Sequence, residues 1–241
     1  MKYKVKINHS IVPLASAEAE WAYLVNETLE GEKCIVPQLR KLKKHPVVLE
    51  NKGLLETLSR QLDEEVEHVR LFNGLIGVER IKGSGYRDHL MAYVDSLPSV
   101  TLKLFALQGM LEGYALGALR HRLRVISDSP SERVDAQALY EEIGHVAFSF
   151  DHFGYLKNAE GEHSRQEFKE VSKEVNKIFS QSFEGENIAR IFKNSFGIEI
   201  EGPHLLDKTD SMAAFQSLSK MSVIQNKNQF LIQYYQGEKC G

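Results

Sequence analysis

Cysteine is scarce in this 241-residue chain, with only Cys34 and Cys240. Two thiols cannot build a disulfide framework, and neither stands in a Cys-x-x-Cys zinc or rubredoxin pattern. Charge of one sign is also lacking. A formal net charge of −3 gives no electrostatic reason to expect nucleic acid or an anionic membrane as partner. No run of 18 apolar residues occurs, which excludes a membrane-spanning helix by sequence. The first residues, Met1-Lys2-Tyr3-Lys4-Val5-Lys6, lack the apolar stretch of a signal peptide, so the expectation is a soluble, cytoplasmic protein. No flavin or nicotinamide motif appears. The basic run Arg120-His121-Arg122 with Arg124 is too short for a groove and reads as a solvated helix end.

What is present is helical periodicity over most of the length, consistent with a single domain spanning 1–241. Residues 1–13 alternate and suggest a short extended arm. From Ser16 a helix follows the stripe Ala19, Ala22, Tyr23, Asn26, Glu30, Cys34, with Pro37 expected to kink it or end its regular part. A second helix is predicted from about Val48 to Gly77, along Leu54, Leu58, Leu62, Glu65, His68 and Phe72. Tyr86 to Ser96 reads as a short crossover helix. Ser99 caps a third long helix to about Ile126, almost wholly apolar, with Gly109, Gly113 and Gly117 forming a ridge suited to close packing. The fourth begins in the cap-rich stretch Ser127-Asp128-Ser129-Pro130 and continues to about Asn158, before a loop at Ala159-Glu160-Gly161-Glu162. Amphipathic helices at roughly 164–183, 186–196 and 208–235 complete an all-α chain. Its core bundle covers about 16–158, with packing helices over about 164–235.

Charge inside the apolar stripes is the informative feature, because burying it without a counter-ion is costly. Glu-x-x-His occurs four times, where 25 glutamates and nine histidines would produce about one by chance. Glu160–His163 and Glu201–His204 fall on helix breakers. Glu65–His68 and Glu142–His145 lie inside long helices, where a three-residue step keeps both side chains on one face. Each is preceded by a helix with one further acid, Glu30 in Leu29-Glu30-Gly31 and Glu112 in Leu111-Glu112-Gly113. Glu27 gives comparable height to Glu30 and is its alternative. Two halves of the same order, each supplying one Glu and one Glu-x-x-His, make a cage for two metal ions.

Four carboxylates balance two divalent ions. Carboxylate and imidazole suit iron, with manganese the alternative in either position, while zinc prefers fewer and softer ligands. The expected roles are bridging for Glu65 and Glu142, terminal for Glu30 and Glu112, and one imidazole per ion through Nδ1. Each imidazole's other nitrogen is then expected on an acceptor behind the ligands. Glu64 and Glu141 read as neighbours of the ligand set or as exposed. Tyr23 and Tyr140 read as core residues and Cys34 as a small buried thiol.

These residues resemble the ferritin-like di-iron carboxylate superfamily. The two Glu-x-x-His halves are similar to its oxygenase, desaturase and rubrerythrin branches. Glu30-Gly31-Glu32 is similar to the first-ligand stretch of the cyanobacterial aldehyde-deformylating oxygenases, as are the overall length and the crossover helix. The likeness covers roughly 20–158, and the first hairpin here is longer. Ala138 stands where arylamine N-oxygenases carry a third histidine. The resemblance implies a ferritin-like four-helix bundle with a crossover helix, two iron ions, and O2-dependent oxidation of a small, apolar organic substrate. Electrons would come from an external donor such as a ferredoxin or reductase. The alternatives are a rubrerythrin- or ferroxidase-like peroxide- or iron-oxidising protein, and a metal-free helical binding protein.

Overall fold

The computed structural model describes residues 17–76, 86–123, 130–180, 190–191 and 193–194. The expected arm at 1–13 and the helix at 208–235 lie outside the described residues. Among those described there is no strand, and no helix is long and apolar enough to cross a membrane.

Helix α1 spans Ala17–Leu42 and continues through Pro37. Its end is wound down by Lys44 N–H to Lys41 O and His45 N–H to Leu42 O, after which Pro46 opens the single turn α2, Pro46–Leu49. The predicted helix from Val48 to Gly77 is therefore two elements. The division falls at Asn51, whose Oδ1 accepts from Leu54 N–H at 2.9 Å and so caps a new helix, α3 (Lys52–Ile76). The crossover helix α4 runs over Tyr86–Ser96.

Ser99 caps the next helix as expected, its Oγ accepting from Leu102 N–H at 3.2 Å. This helix is not uniform. It begins as α5 (Val100–Leu104), widens into a π-helical segment at Phe105–Leu111, and resumes as α6 (Glu112–Leu123). Glu112 N–H bonds Leu107 O, five residues back, which is the π register. Gly109 lies in this segment, and a Cβ there would come within 3.1 Å of the Phe105 ring. The ring in turn stands edge-on to Phe168 at 4.9 Å. Close packing is thus the use made of Gly109. Helix α7 spans Pro130–Asp151. The fourth predicted helix breaks at His152 and continues as α8 (Phe153–Glu160), ending at Gly161 with φ 92°. Helix α9, Arg165–Ser180, follows behind a capping box in which Ser164 and Glu167 bond each other's backbone N–H.

Helix α1 packs along α3, α6 along α7, and α3 also meets α7. Two apolar clusters lie at different levels of this assembly. One contains Leu39, Leu54, Leu58, Leu104, Phe105 and Leu107, together with Leu90 and Val94 of α4 and Val171 and Val175 of α9. The other contains Val25, Leu29, Phe72, Leu116, Leu119, Ala138 and Leu139. Along α3 the acids and histidine fall between Leu58 and Phe72, so the polar residues form a layer between the two clusters.

The second cluster ends on Arg122, predicted to be solvated but buried to 1% exposure. Its guanidinium pairs with buried Asp135, donates to Leu24 O at 3.2 Å and Thr28 Oγ1 at 2.5 Å, and lies over the rings of Trp21 and Phe72. The correction has a physical cause. Arg122 lies one helical repeat past the stripe Leu116–Leu119, on the inward face, and α7 supplies the buried anion that makes its burial tolerable.

Glu160 fixes where the Glu112-bearing helix begins. Its two oxygens accept from Val100 N–H at 2.8 Å and Thr101 N–H at 2.9 Å, and Thr101 Oγ1 donates to it at 2.7 Å. Replacing Glu160 by Ala leaves two helix-terminal N–H groups unpaired and is expected to cost about 1–2 kcal/mol in urea unfolding followed by circular dichroism.

Candidate metal centre

The polar layer is built from four helices. Helix α3 contributes Glu65 and His68, α7 Glu142 and His145, α6 Glu112 and α1 Glu32, all of them buried. Two sets of ligand atoms converge, each within 4.8 Å: Glu32, Glu65, His68 and Glu142 form one, and Glu65, Glu112, Glu142 and His145 the other. Glu65 and Glu142 belong to both.

The shared carboxylates straddle the two imidazoles. Glu65 Oε1 is 2.9 Å from His145 Nδ1 while its Oε2 is 3.3 Å from His68 Nδ1. Glu142 mirrors this, with Oε2 at 2.9 Å from His145 Nδ1 and Oε1 at 3.3 Å from His68 Nδ1. The ring centroids are 6.2 Å apart, so each imidazole addresses its own position with a carboxylate oxygen from both acids beside it.

The outer nitrogens are held reciprocally. Glu141 on α7 bonds His68 Nε2 of α3 at 2.6 Å, and Glu64 on α3 bonds His145 Nε2 of α7 at 2.9 Å. The pattern follows from the sequence Glu-Glu-x-x-His. The second Glu and the His share the inward face, while the first Glu is rotated by about 100° toward the neighbouring helix. Both outer carboxylates are partly exposed, and Gln137 bonds Glu141 at 3.3 Å. With Nε2–H donated outward, each Nδ1 points inward, and loss of its proton would leave a lone pair there for a cation.

Sequence reasoning placed Glu30, or Glu27, where the structure puts Glu32. Glu30 is a quarter exposed and pairs with Lys33 at 2.5 Å. Glu27 is buried, but its carboxylate and its carbonyl oxygen both take Arg87 of α4. Two residues along a helix turn through about 200°, so Glu30 and Glu32 cannot face the same neighbour. The usable signal was the buried series Val25, Leu29, Val36 and Leu39, whose alternating steps include position 32 and skip 30. Cys34 lies on the other side of α1, half-buried, and its thiol is pushed up by burial among Arg87, Glu30 and Asp88. Gln61, buried against Glu65 and Glu112, and Gln108, buried and bonded to Gln61, were not anticipated.

Burial and mutual repulsion divide the acids into two kinds. Desolvation, reinforced by Glu65, pushes Glu32 well above the usual carboxylate range; desolvation and Glu142 do the same to Glu112. Glu65 and Glu142 also suffer desolvation, but His145 and His68 outweigh it and hold both below that range. Burial works against charge on the imidazoles, and the surrounding carboxylates overcome it, raising both above their ordinary value. Glu32 Oε2, Glu112 Oε2 and Glu142 Oε1 are buried and have no hydrogen-bond donor. Carboxylate oxygens left without donors beside two inward Nδ1 atoms are what a pair of hard divalent cations would use, so the residues present fit metal ions.

Proton occupancy gives a pH dependence of defined sign. Without an ion, Glu32, Glu112, His68 and His145 hold protons in the folded chain that the unfolded chain releases near its ordinary carboxylate and imidazole values. Stability from these groups is complete below the unfolded-state values and is lost progressively above them, for the imidazoles from about pH 6.5 upward toward their raised folded values. A metal displaces the same protons, so its affinity rises over that window. The expected result is a larger increase in Tm on adding Fe(II) or Mn(II) at pH 8 than at pH 6, with proton release visible in weakly buffered titrations. Glu64→Ala or Glu141→Ala, which frees one imidazole to rotate, is expected to weaken metal binding about 10–100-fold in the same titration. Comparison of the chain with family models, curated proteins and solved structures returned no significant match to any of them.

Proposed function

We propose that this chain is a non-haem di-iron protein with a ferritin-like bundle, an O2-dependent oxidoreductase acting on a small, apolar organic substrate. The single observation that supports this best is the placement of Glu65 and Glu142, each with one oxygen beside each of two inward Nδ1 atoms. Glu32 and His68 would complete one position, Glu112 and His145 the other. These residues would hold two iron(II) ions, whose chemistry would be electron supply to O2, with an external carrier such as a ferredoxin or reductase restoring the electrons. The chain's own residues hold the site in place and dry. Glu64 and Glu141 fix the imidazoles, both clusters exclude water, and one oxygen each of Glu32 and Glu112 has no hydrogen-bond donor to be displaced by a cation. Resemblance of the two Glu-x-x-His halves to the oxygenase, desaturase and rubrerythrin branches, and of Glu30-Gly31-Glu32 to aldehyde-deformylating oxygenases, supports the choice of oxygenase over iron storage.

The test is anaerobic reconstitution with Fe(II), elemental analysis, and O2 uptake measured with an electrode. The parent chain is expected to hold two irons and to consume O2. Glu32→Ala and Glu112→Ala are each expected to reduce iron to one or fewer per chain and O2 uptake at least about tenfold, with helix content unchanged. Glu30→Ala is expected to match the parent. Full occupancy and uptake in Glu112→Ala would refute the assignment. Peroxide consumption without any organic substrate would replace the oxygenase by a peroxide-scavenging reading.

A further inference from the structure

Two buried glutamines lie outside both sets of converging ligand atoms. Gln61 lies one turn before Glu65 on α3, and Gln108 sits in the π-helical segment four residues before Glu112. Gln61 Nε2 donates toward Glu65 Oε1 at 3.4 Å and Glu112 Oε1 at 3.5 Å, and Gln108 Nε2 donates to Gln61 Oε1. Gln61 turns its NH2 toward the acids and its carbonyl toward Gln108. Gln108 must then answer with its own NH2. One atom is left over, Gln108 Oε1, which is buried at 0% exposure and has no donor.

An acceptor enclosed in this way is costly unless something donates to it. Its surroundings narrow the choice. Leu104, Phe105 and Leu107, next to Gln108 in sequence, belong to the apolar cluster that α4 and α9 complete. The segment is π-helical, a departure from regular helix that recurs at functional positions.

We propose that Gln108, oriented by Gln61, is the polar anchor of a binding site for a small molecule with an apolar body and a hydrogen-bond donor at one end, a hydroxyl or an N–H. The site rests on the oxygenase reading for its purpose and names its substrate class: alcohol- or amine-type molecules rather than ethers or esters, which can only accept. The donor bonds Gln108 Oε1, and the body lies among the leucines and phenylalanine of the adjoining cluster. The same relay reaches Glu65 and Glu112, so the bound group stands next to the candidate metal centre.

Calorimetric titration of the iron-loaded protein with 1-octanol and with its isomer heptyl methyl ether tests this, the two differing only in the donor. The alcohol is expected to bind about tenfold more tightly. Gln108→Leu should bring that ratio to about one by weakening the alcohol, with the ether held within about twofold and iron content unchanged. Gln61→Leu, which leaves the Gln108 amide undirected, should also lower the ratio. Equal binding of the isomers, a ratio that survives Gln108→Leu, or no binding of either because an internal water satisfies Gln108, would each overturn the proposal. Alcohol preference in protein that takes up no iron would instead defeat the di-iron reading and leave the site standing.

Discussion

Four carboxylates in a dry interior need four positive charges, and the layer between the two apolar clusters is arranged around that requirement. In the absence of a metal ion it is met by protons. Two imidazoliums face the ionised Glu65 and Glu142, while Glu32 and Glu112 are driven toward their neutral forms, so these six groups together carry no net charge. Two divalent ions with neutral imidazoles and four carboxylates also sum to zero. The interior can therefore exchange one set of cations for the other without ever enclosing an unbalanced charge, which a low-dielectric core would not tolerate.

The same rule governs the far end of the helices. Arg122 is compensated by Asp135 and stacked between Trp21 and Phe72. Phe72 in turn stands edge-on to His68 at 6.3 Å. A neutral ion pair, an aromatic ring and the imidazole follow one another along the helices. The ends of α1, α6 and α7 are thereby fixed relative to the residues that would hold the ions.

Much of this was legible in the sequence because helical phase is a strict geometric rule. Glu65 with His68 and Glu142 with His145 were found from three-residue spacing, and Glu112 from its isolation in an apolar helix. The crossover at Tyr86–Ser96 and the Ser99 cap followed from breakers and cap chemistry. The failure at Glu30 came from trusting a repeated tripeptide, Leu-Glu-Gly, over phase. The tripeptide recurs, but only Glu32 shares the inward face with Leu29 and Val36. Arg122 was missed because its partner Asp135 lies on another helix, thirteen residues away, and local charge density reads as solvation. The π-helical segment left no mark in composition. Its register appears only in which carbonyl Glu112 N–H reaches, and Gln61 and Gln108 gain their meaning only once that segment brings them together.

The reciprocal grip of Glu64 on His145 and Glu141 on His68 means that neither hairpin can orient its own imidazole. Each half, with one further Glu and one Glu-Glu-x-x-His, is an incomplete cage alone, and only the two halves pressed face to face supply every missing partner to each other.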